Sequence, residues 1–238
     1  MTPLLLALFL GGMPAEQGES FLFQPAYAID ECKRLPARPY VGQPGDLMFA
    51  TDDKLFWRIA HNLAGTGHPH HSAIVFARSD GRLAVLEGGP YDTFWVGTID
   101  LQQHLKAYEK FGPVWIRERK TPLTPEQSAR LTEFAEMADG KRFALGRLAL
   151  QLTPIRTRGP VRTRFVGYPV GERRSYFCAE VVLEALVAAC ALDAAETRPS
   201  ATFPRDMFFD RTVNPFINKH LRLKECWDPP ALWSSCPE

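Results

Sequence analysis

The sequence predicts an α+β fold in which antiparallel strands pack against helices. Two strand-like runs, at residues 72–78 and 83–88, flank a short turn, which indicates an antiparallel hairpin. Two further stretches, 124–138 and 176–186, repeat apolar residues at helical spacing. The chain has 238 residues, of which 45% are hydrophobic, enough to bury the core of a single domain.

The first 20 residues are expected to be a signal peptide. Their apolar run from Leu4 to Leu10 has signal-peptide length and is too short to cross a membrane as a mature helix. No basic residue precedes the run and no clear small-x-small cleavage site follows it. A misplaced start or an ordered N-terminal segment is therefore the alternative. A signal peptide would place the protein in the periplasm or outside the cell.

The order of elements after this segment follows from turn residues and apolar periodicity. A strand is predicted at 47–50, after a Pro-Gly-Asp turn, and a helix at 55–63. Another strand is predicted at 114–117. The helix that follows has Thr124 as its N-cap and ends at Asp139-Gly140. Residues from Pro199 onward are expected to wrap the domain with little regular structure.

The turn of the hairpin determines which side chains share a face of the sheet. A three-residue loop, with Gly81 in the left-handed conformation, places Ala73 opposite Glu87. His71 and Glu87 then lie on the same face of neighbouring strands, whereas a two-residue loop would separate them. The small residues that continue this face predict that the 176–186 helix packs across it.

Cys178 lies at the start of that last apolar helix. A thiol in the first helical turn faces unpaired backbone N–H groups and the positive end of the helix dipole, which favour the thiolate. The alternative is a structural cysteine that fills the core as a small hydrophobe. Cys190, later in the same apolar stretch, is the ordinary case of that kind.

A cysteine hydrolase needs a nucleophile, a base, a group that orients the base, and N–H donors for the oxyanion. We predict Cys178 as nucleophile, His71 as base and Glu87 as the orienting group. The backbone N–H of Cys178 is the oxyanion donor, with Tyr176 nearby. The alternative for His71 is a structural histidine at the end of a strand, and the alternative for Glu87 is a solvated acid at the end of a strand.

The order of these motifs resembles the circularly permuted papain-like cysteine hydrolases, in the YiiX/YebB-like branch of the NlpC superfamily. The segments that carry the resemblance are Gly45-Asp46-Leu47, His71-Ser72-Ala73-Ile74-Val75, Val85-Leu86-Glu87-Gly88 and residues 176–182. It covers roughly residues 40–210. Two departures are Ala179, where the family has Ser, and residues 140–144, which replace a frequent aromatic-Asp pair.

This resemblance implies a circularly permuted papain-like (NlpC-type) fold, an antiparallel sheet with a packed nucleophile helix. It also implies cleavage of an amide through a Cys178 thioester, with peptidoglycan peptides as the substrate class. Hydrolysis or transfer of lipid acyl groups is a second interpretation, since permuted relatives act on lipids. A non-catalytic binding module with the same fold is a third, from a different functional class.

Substrate contacts are predicted at Tyr176, Arg174 and Asp46. Nine basic residues lie between Lys141 and Arg174, so this stretch would attract an anionic substrate or an anionic surface, unless it is simply a solvated loop. The formal net charge of +1 gives no indication of a nucleic-acid partner. We expect a monomer.

No metal and no cofactor is expected. The histidines in the loop at 68–71 lack the spaced second ligand set of a zinc site. The catalytic domain is expected to span residues 30–225, and residues 226–238 a C-terminal tail. Cys32, Cys226 and Cys236 are candidates for a disulfide of undefined pairing, although a fully reduced protein would also fit the five cysteines.

Overall fold

The computed structural model describes residues 20–25, 33, 36–51, 59, 66–150, 173–211 and 223–237. Its main sheet is built from the strands β1 (Phe21–Pro25), β2 (Arg38–Pro39), β3 (Leu47–Ala50), β4 (His71–Ala77), β5 (Leu83–Gly88), β6 (Val96–Asp100), β7 (Val114–Arg117) and β10 (Ala231–Ser234). Two short strands, β8 (Arg142–Phe143) and β9 (Ser175–Tyr176), pair separately.

The helices are α1 (Leu101–Glu109), α2 (Pro125–Ala138), α3 (Leu145–Leu150), α4 (Cys178–Ala188), α5 (Pro204–Phe209) and α6 (Leu223–Cys226). Short 3₁₀ turns lie at Pro90–Asp92 and Pro199–Ala201. Within the described ranges, none of the helices is long and apolar enough to cross a membrane.

The main sheet is antiparallel throughout, in the order β2-β1-β10-β7-β3-β4-β5-β6. The prediction of an α+β fold with an antiparallel sheet is therefore confirmed. Antiparallel sheets form readily where short turns join consecutive strands, as between β4 and β5. Gly81 has φ +82° in that turn, and Ala73 pairs with Glu87 as the three-residue loop predicts.

Helices cover both faces of the sheet. One face carries Ile74, Phe76 and Leu86 and packs against α2 and α4 in a single apolar cluster. The other face carries Ala73 and Val75 and packs against Leu101, Leu105 and Tyr108 of α1. The sheet is thus the central layer of three.

This arrangement corrects the expectation that the Cys178 helix packs across the His71 face. Helix α4 is buried along nearly its whole length and needs a broad apolar surface, which the bulky Ile74 and Phe76 provide on the opposite face. The small residues beside His71 accommodate α1 instead.

The boundaries of α2 agree with the sequence prediction. Thr124 caps it by accepting a hydrogen bond from the Gln127 N–H, while the Gln127 side chain accepts one from the Thr124 N–H.

The prediction of a C-terminal tail at residues 226–238 was wrong, because residues 231–234 form a strand between β1 and β7. Strand β1 also belongs to the sheet, so the domain begins before residue 30.

Several predictions concern residues outside the described ranges. The helix expected at 55–63 falls almost entirely there, as do residues 1–19 of the predicted signal peptide, most of the basic stretch, and Cys32. The other two disulfide candidates, Cys226 and Cys236, are both free thiols.

Candidate active site

A small pocket of about 40 Å³ opens where strands β4 and β5 meet the first turn of α4. Cys178 and His71 both line it. The remaining lining residues are His70, Gly88, Gly89, Asp92, Thr93, Phe94, Phe143, Leu148, Phe177, Phe203 and Pro204. The structure therefore brings the predicted nucleophile and the predicted base to one cavity.

Cys178 reaches this pocket because α4 begins at the end of the sheet. The thiol lies 3.7 Å from the carbonyl oxygen of His70, to which it donates. Gly88, at the end of β5, lies so close to α4 that a Cβ atom there would be 2.9 Å from the Cys178 nitrogen. Because residue 88 is a glycine, the first turn of α4 can approach β5 this closely. Cys178, on one face of the sheet, then lies beside His71, which belongs to the other face.

The His71 side chain is held by Glu87, as the hairpin register predicts. Its Nδ1 lies 3.2 Å from Oε1 of Glu87, and its side chain is 16% exposed, whereas that of Glu87 is buried. An imidazole fixed at Nδ1 by a carboxylate presents its Nε2 edge for proton transfer. This is the geometry of a base with its orienting group.

Three residues that the sequence analysis missed complete the surroundings of Glu87. His104 Nε2 lies 2.8 Å from Oε2 of Glu87, and the Tyr108 hydroxyl donates to Oε1 at 2.8 Å. The Tyr91 hydroxyl lies 2.9 Å from Nδ1 of His104. Both His104 and Tyr108 are buried on α1.

A signal for two of these residues was present in the sequence. Leu101, His104, Leu105 and Tyr108 follow one another at spacings of three, one and three residues, the pattern of a single buried helix face. A histidine and a tyrosine within that pattern need polar partners inside the protein. Glu87 is the partner of both.

The pKa of Glu87 shows the net effect of these contacts. Burial on its own raises the pKa of a carboxyl group, but the hydrogen bonds and charges of His104 and His71 outweigh burial and lower the pKa of Glu87 to about 2. Glu87 is therefore a carboxylate at neutral pH and can stabilise an imidazolium at His71.

The pKa of Cys178 corrects the expectation of a resting thiolate. Burial and the negative charge of Glu87 raise the pKa of Cys178 to about 12, although the backbone N–H groups of Ala179, Ser72 and Cys178 act in the opposite direction. The helix terminus does favour the thiolate, but the closed surroundings of the sulfur have the larger effect. The resting nucleophile is a thiol, so its proton must leave as it attacks.

His70 lies next to the base, and its buried side chain also lines the pocket. Its ring is stacked near that of His68, with centroids 4.3 Å apart, and its Nδ1 lies 3.3 Å from the Thr51 hydroxyl. His70 is thus a second histidine at the pocket, which the sequence analysis did not single out. Among the described residues, His70 thus contacts a hydroxyl and an imidazole, and His71 contacts the carboxylate of Glu87.

The structure does not bring the three predicted substrate contacts to the pocket lining. Asp46 is buried and accepts hydrogen bonds from the Tyr40 hydroxyl and from the N–H groups of Gln43 and Arg119. Burial raises the pKa of Asp46 to about 6. Asp46 therefore secures the turn that precedes β3, a structural role that the Gly-Asp motif did not distinguish from substrate binding.

Tyr176 and Arg174 also lie apart from the lining residues. Tyr176 is fully buried, with its ring against Phe134 and its hydroxyl accepting from the Arg173 N–H. Arg174 is exposed to solvent. The roles predicted for Tyr176, in the oxyanion hole and in substrate binding, gain no support from this geometry, and Arg174 lies outside the pocket lining.

Two glutamates of α4, Glu180 and Glu184, are buried and paired with arginines. Glu180 lies 2.6 Å from Nη2 of Arg147 and accepts a hydrogen bond from the Ser200 hydroxyl. Glu184 lies 2.7 Å from Nε of Arg173. Buried carboxylates need such partners, and these connect the nucleophile helix to the basic segments on either side of residues 151–172.

In the described part of the chain, no group of three or more His, Cys, Asp or Glu side chains has the arrangement of a metal site.

Cys190 is exposed at φ +52° beyond the end of α4, not buried within it. Its thiol lies 2.7 Å from Nη1 of Arg130. The two cysteines of this region thus have opposite environments, with Cys178 buried at the pocket.

Comparison with known proteins adds little to this geometry. No family model matches the chain, and no curated protein matches it. Among solved structures, the chain is similar to the crystal structure of metalloprotein YiiX from Escherichia coli O157:H7. The match has 21% sequence identity and a TM-score of 0.43, and covers 63% of this chain and 67% of that one. At this distance the likeness carries no argument, and the site is interpreted from its own contacts.

Proposed function

We propose that the chain is a cysteine hydrolase with a circularly permuted papain-like fold, which cleaves an amide bond through a thioester on Cys178. The observation that carries the proposal is that one pocket is lined both by Cys178 and by His71, whose Nδ1 lies 3.2 Å from the buried carboxylate of Glu87. A thiol, an imidazole and a carboxylate in this order are the parts of a nucleophilic triad.

The reaction begins with the proton of Cys178. As Sγ attacks the substrate carbonyl carbon, its proton passes to Nε2 of His71, and Glu87 stabilises the imidazolium. The tetrahedral oxyanion collapses, the C–N bond breaks, and His71 returns the proton to the departing amine. His71 then takes a proton from water as the water oxygen attacks the thioester carbonyl carbon. The C–S bond breaks, His71 returns this proton to Sγ of Cys178, and the carboxylic acid and the Cys178 thiol are released.

Cell-wall peptides are the substrate class of the first proposal. The test is incubation of the wild-type chain with soluble muropeptides, with Cys178→Ala as the inactive variant and Cys190→Ala as the matched cysteine control. We expect new amine ends with the wild type and with Cys190→Ala only. Cleavage that persists in Cys178→Ala would refute the nucleophile.

The adjacent histidines allow a second control for the base. His71→Ala is expected to lower the rate by about 10²–10⁴-fold, the contribution of a positioned general base. His70→Ala removes a neighbouring lining side chain, whose Nδ1 lies 3.3 Å from the Thr51 hydroxyl, and is expected to have a smaller effect. An equal or larger loss in His70→Ala would transfer the role of base to that residue.

A second candidate is hydrolysis or transfer of an acyl group from a lipid. It is favoured by the composition of the pocket, which includes five apolar side chains, Phe94, Phe143, Leu148, Phe177 and Phe203. Phe94 is 57% exposed, and its neighbour Trp95 is 52% exposed. Such a surface suits an acyl chain better than a polar peptide.

The exposed guanidinium groups of Arg142 and Arg174 support the same candidate. Strand pairing places Arg142 beside Ser175 and opposite Trp95, so both arginines lie near the exposed aromatic residues. Basic and aromatic side chains together suit an anionic lipid headgroup or surface. Binding of Cys178→Ala to muropeptides, compared with binding to acylated anionic lipids, separates the two substrates.

A further inference from the structure

We propose that His104 is a positioning residue of the hydrolase, which fixes Glu87 from the side opposite His71 so that the catalytic set is a His71–Glu87–His104 chain. The inference rests on the proposed function and deepens it. Glu87 uses one carboxylate oxygen for each histidine, Oε1 for His71 and Oε2 for His104.

Each carboxylate oxygen of Glu87 faces side chains that can donate a proton to it. Tyr108 donates its hydroxyl to Oε1 at 2.8 Å, beside the contact with His71. His104 has a buried side chain, and its Nε2 lies 2.8 Å from Oε2, the distance of a charged contact with the second oxygen. With Nε2 carrying a proton, Nδ1 of His104 accepts from the Tyr91 hydroxyl at 2.9 Å.

The backbone at Tyr91 strengthens this interpretation. Tyr91 and Asp92 have φ values of +52° and +61°, a conformation that non-glycine residues rarely adopt. Asp92 lines the pocket, so the strained turn lies between the pocket and His104. Strain of this kind persists where surrounding contacts demand it, and it is frequent at functional sites.

A purely structural role would require less. A buried carboxylate could be satisfied by neutral donors such as Tyr108, and a leucine would fill the apolar face of α1. A histidine here instead holds the second oxygen of the group that orients the base. The titratable groups that face Glu87 from the described elements are His71 on β4, His104 and Tyr108 on α1, Tyr91 in the 3₁₀ turn, and Cys178 on α4.

The consequence concerns the pH dependence of acylation. If His104 is removed, Glu87 loses a donor to its charged form and binds a proton at higher pH. Where Glu87 is ionised, its charge is shared with one donor fewer, so it holds the imidazolium of His71 more strongly. The acid limb of the rate profile should therefore move upward, and the plateau should fall because the ring of His71 is less well fixed.

The test uses p-nitrophenyl acetate, a small activated ester that acylates nucleophilic thiols and releases a coloured product. The burst of p-nitrophenol is measured against pH for the wild type, His104→Leu, His104→Gln and Tyr91→Phe. Cys178→Ala defines the background. Cys190→Ala serves as the control variant that keeps the burst.

We expect His104→Leu to shift the acid limb upward by at least one pH unit, a tenfold change in a proton-binding constant, and to lower the plateau about tenfold. His104→Gln retains an N–H donor and should restore most of both. Tyr91→Phe should cause a smaller shift in the same direction, because Nδ1 of His104 loses its donor. Circular dichroism checks that each variant is folded.

The outcomes separate the two proposals. A Cys178-dependent burst with the same pH profile in folded wild type, His104→Leu and Tyr91→Phe would refute the role of His104 and leave the hydrolase intact. Equal profiles for His104→Leu and His104→Gln would refute the hydrogen bond as its basis. No Cys178-dependent burst in the wild type would refute the proposed function and this inference with it.

Discussion

Replacing Gly88 by alanine should disturb the nucleophile without touching any catalytic side chain. An added Cβ would lie 2.9 Å from the Cys178 nitrogen and 2.9 Å from the Phe177 carbonyl carbon. Ordinary contact begins near 3.4 Å, so the first turn of α4 must move away from β5 by about 0.5 Å. Both neighbours are backbone atoms, so no side chain can rotate to make room.

The size of the effect follows from this displacement. Overpacking of a tight contact costs about 1–3 kcal/mol of stability. A displacement of about 1 Å at a reacting centre costs about 10²-fold in rate, so half of that corresponds to about tenfold. The Gly88→Ala variant should therefore lose both stability in urea and the rate of the p-nitrophenol burst, in proportion to the shift of Cys178.

Gly146→Ala is the matched control. A Cβ at Gly146 meets nothing within 4 Å, and α3 should be stabilised by about 0.5–1 kcal/mol because alanine is the better helix former. Its burst should be unchanged. A Gly88→Ala protein with wild-type stability and a wild-type burst would refute the claim that the close contact of β5 with α4 positions the thiol.

Three further outcomes concern stability, measured by urea unfolding. The pKa of Glu87 is about 2 in the folded chain against an ordinary 4.5, so ionisation of Glu87 stabilises the fold above pH 4.5 by about 3 kcal/mol. This stabilisation is lost as the pH falls towards 2, and Glu87→Gln should remove this pH dependence of the unfolding free energy. The pKa of Asp46 is raised to about 6, so acidification from pH 6 to 4 should stabilise the fold by removing the cost of a buried charge at Asp46. If the Glu87→Gln variant is no more stable at pH 5 than at pH 7, this prediction is contradicted. Glu180→Leu leaves the Arg147 cation without its buried carboxylate and should lower the free energy of unfolding by about 3–5 kcal/mol. The control Glu133→Leu, at an exposed position, should change it by less than about 0.5 kcal/mol. Equal losses in the two variants would refute the role of the buried pair.

The hairpin shows what the sequence could determine at the site. A single glycine at position 81 defined the loop length, and the loop length placed His71 beside Glu87. This inference is local, because alternation along two strands joined by a tight turn leaves few choices of register. The bounds of α2 were predictable for a similar reason, since Thr124 and Gln127 form a capping box within one turn.

What the sequence could not determine depends on contacts between distant segments. The choice of sheet face by α4 was predicted wrongly, because it follows from where the bulky and small residues of β4 find partners in three dimensions. The strand at 231–234 joins the centre of the sheet from the far end of the chain. The burial that raises the pKa of Cys178 likewise arises from surroundings that no local pattern shows.

His104 lies between these cases. Its helical spacing with Leu101, Leu105 and Tyr108 indicated a buried face, but only the packing of α1 on the sheet identifies Glu87 as its partner. Asp46 is the converse: a motif position suggested a role in binding, and the structure shows a buried anchor for a turn. A motif names residue types, whereas the packing of the chain decides their partners.

The central claim is that Cys178 is a nucleophile whose proton is taken by His71. Mass spectrometry of the chain after brief treatment with p-nitrophenyl acetate tests it most directly. We expect one acetyl group on the peptide that contains Cys178, in the wild type and in Cys190→Ala, and its near absence in His71→Ala. Acetylation of Cys190 in place of Cys178, or labelling of Cys178 that proceeds equally without His71, would contradict it.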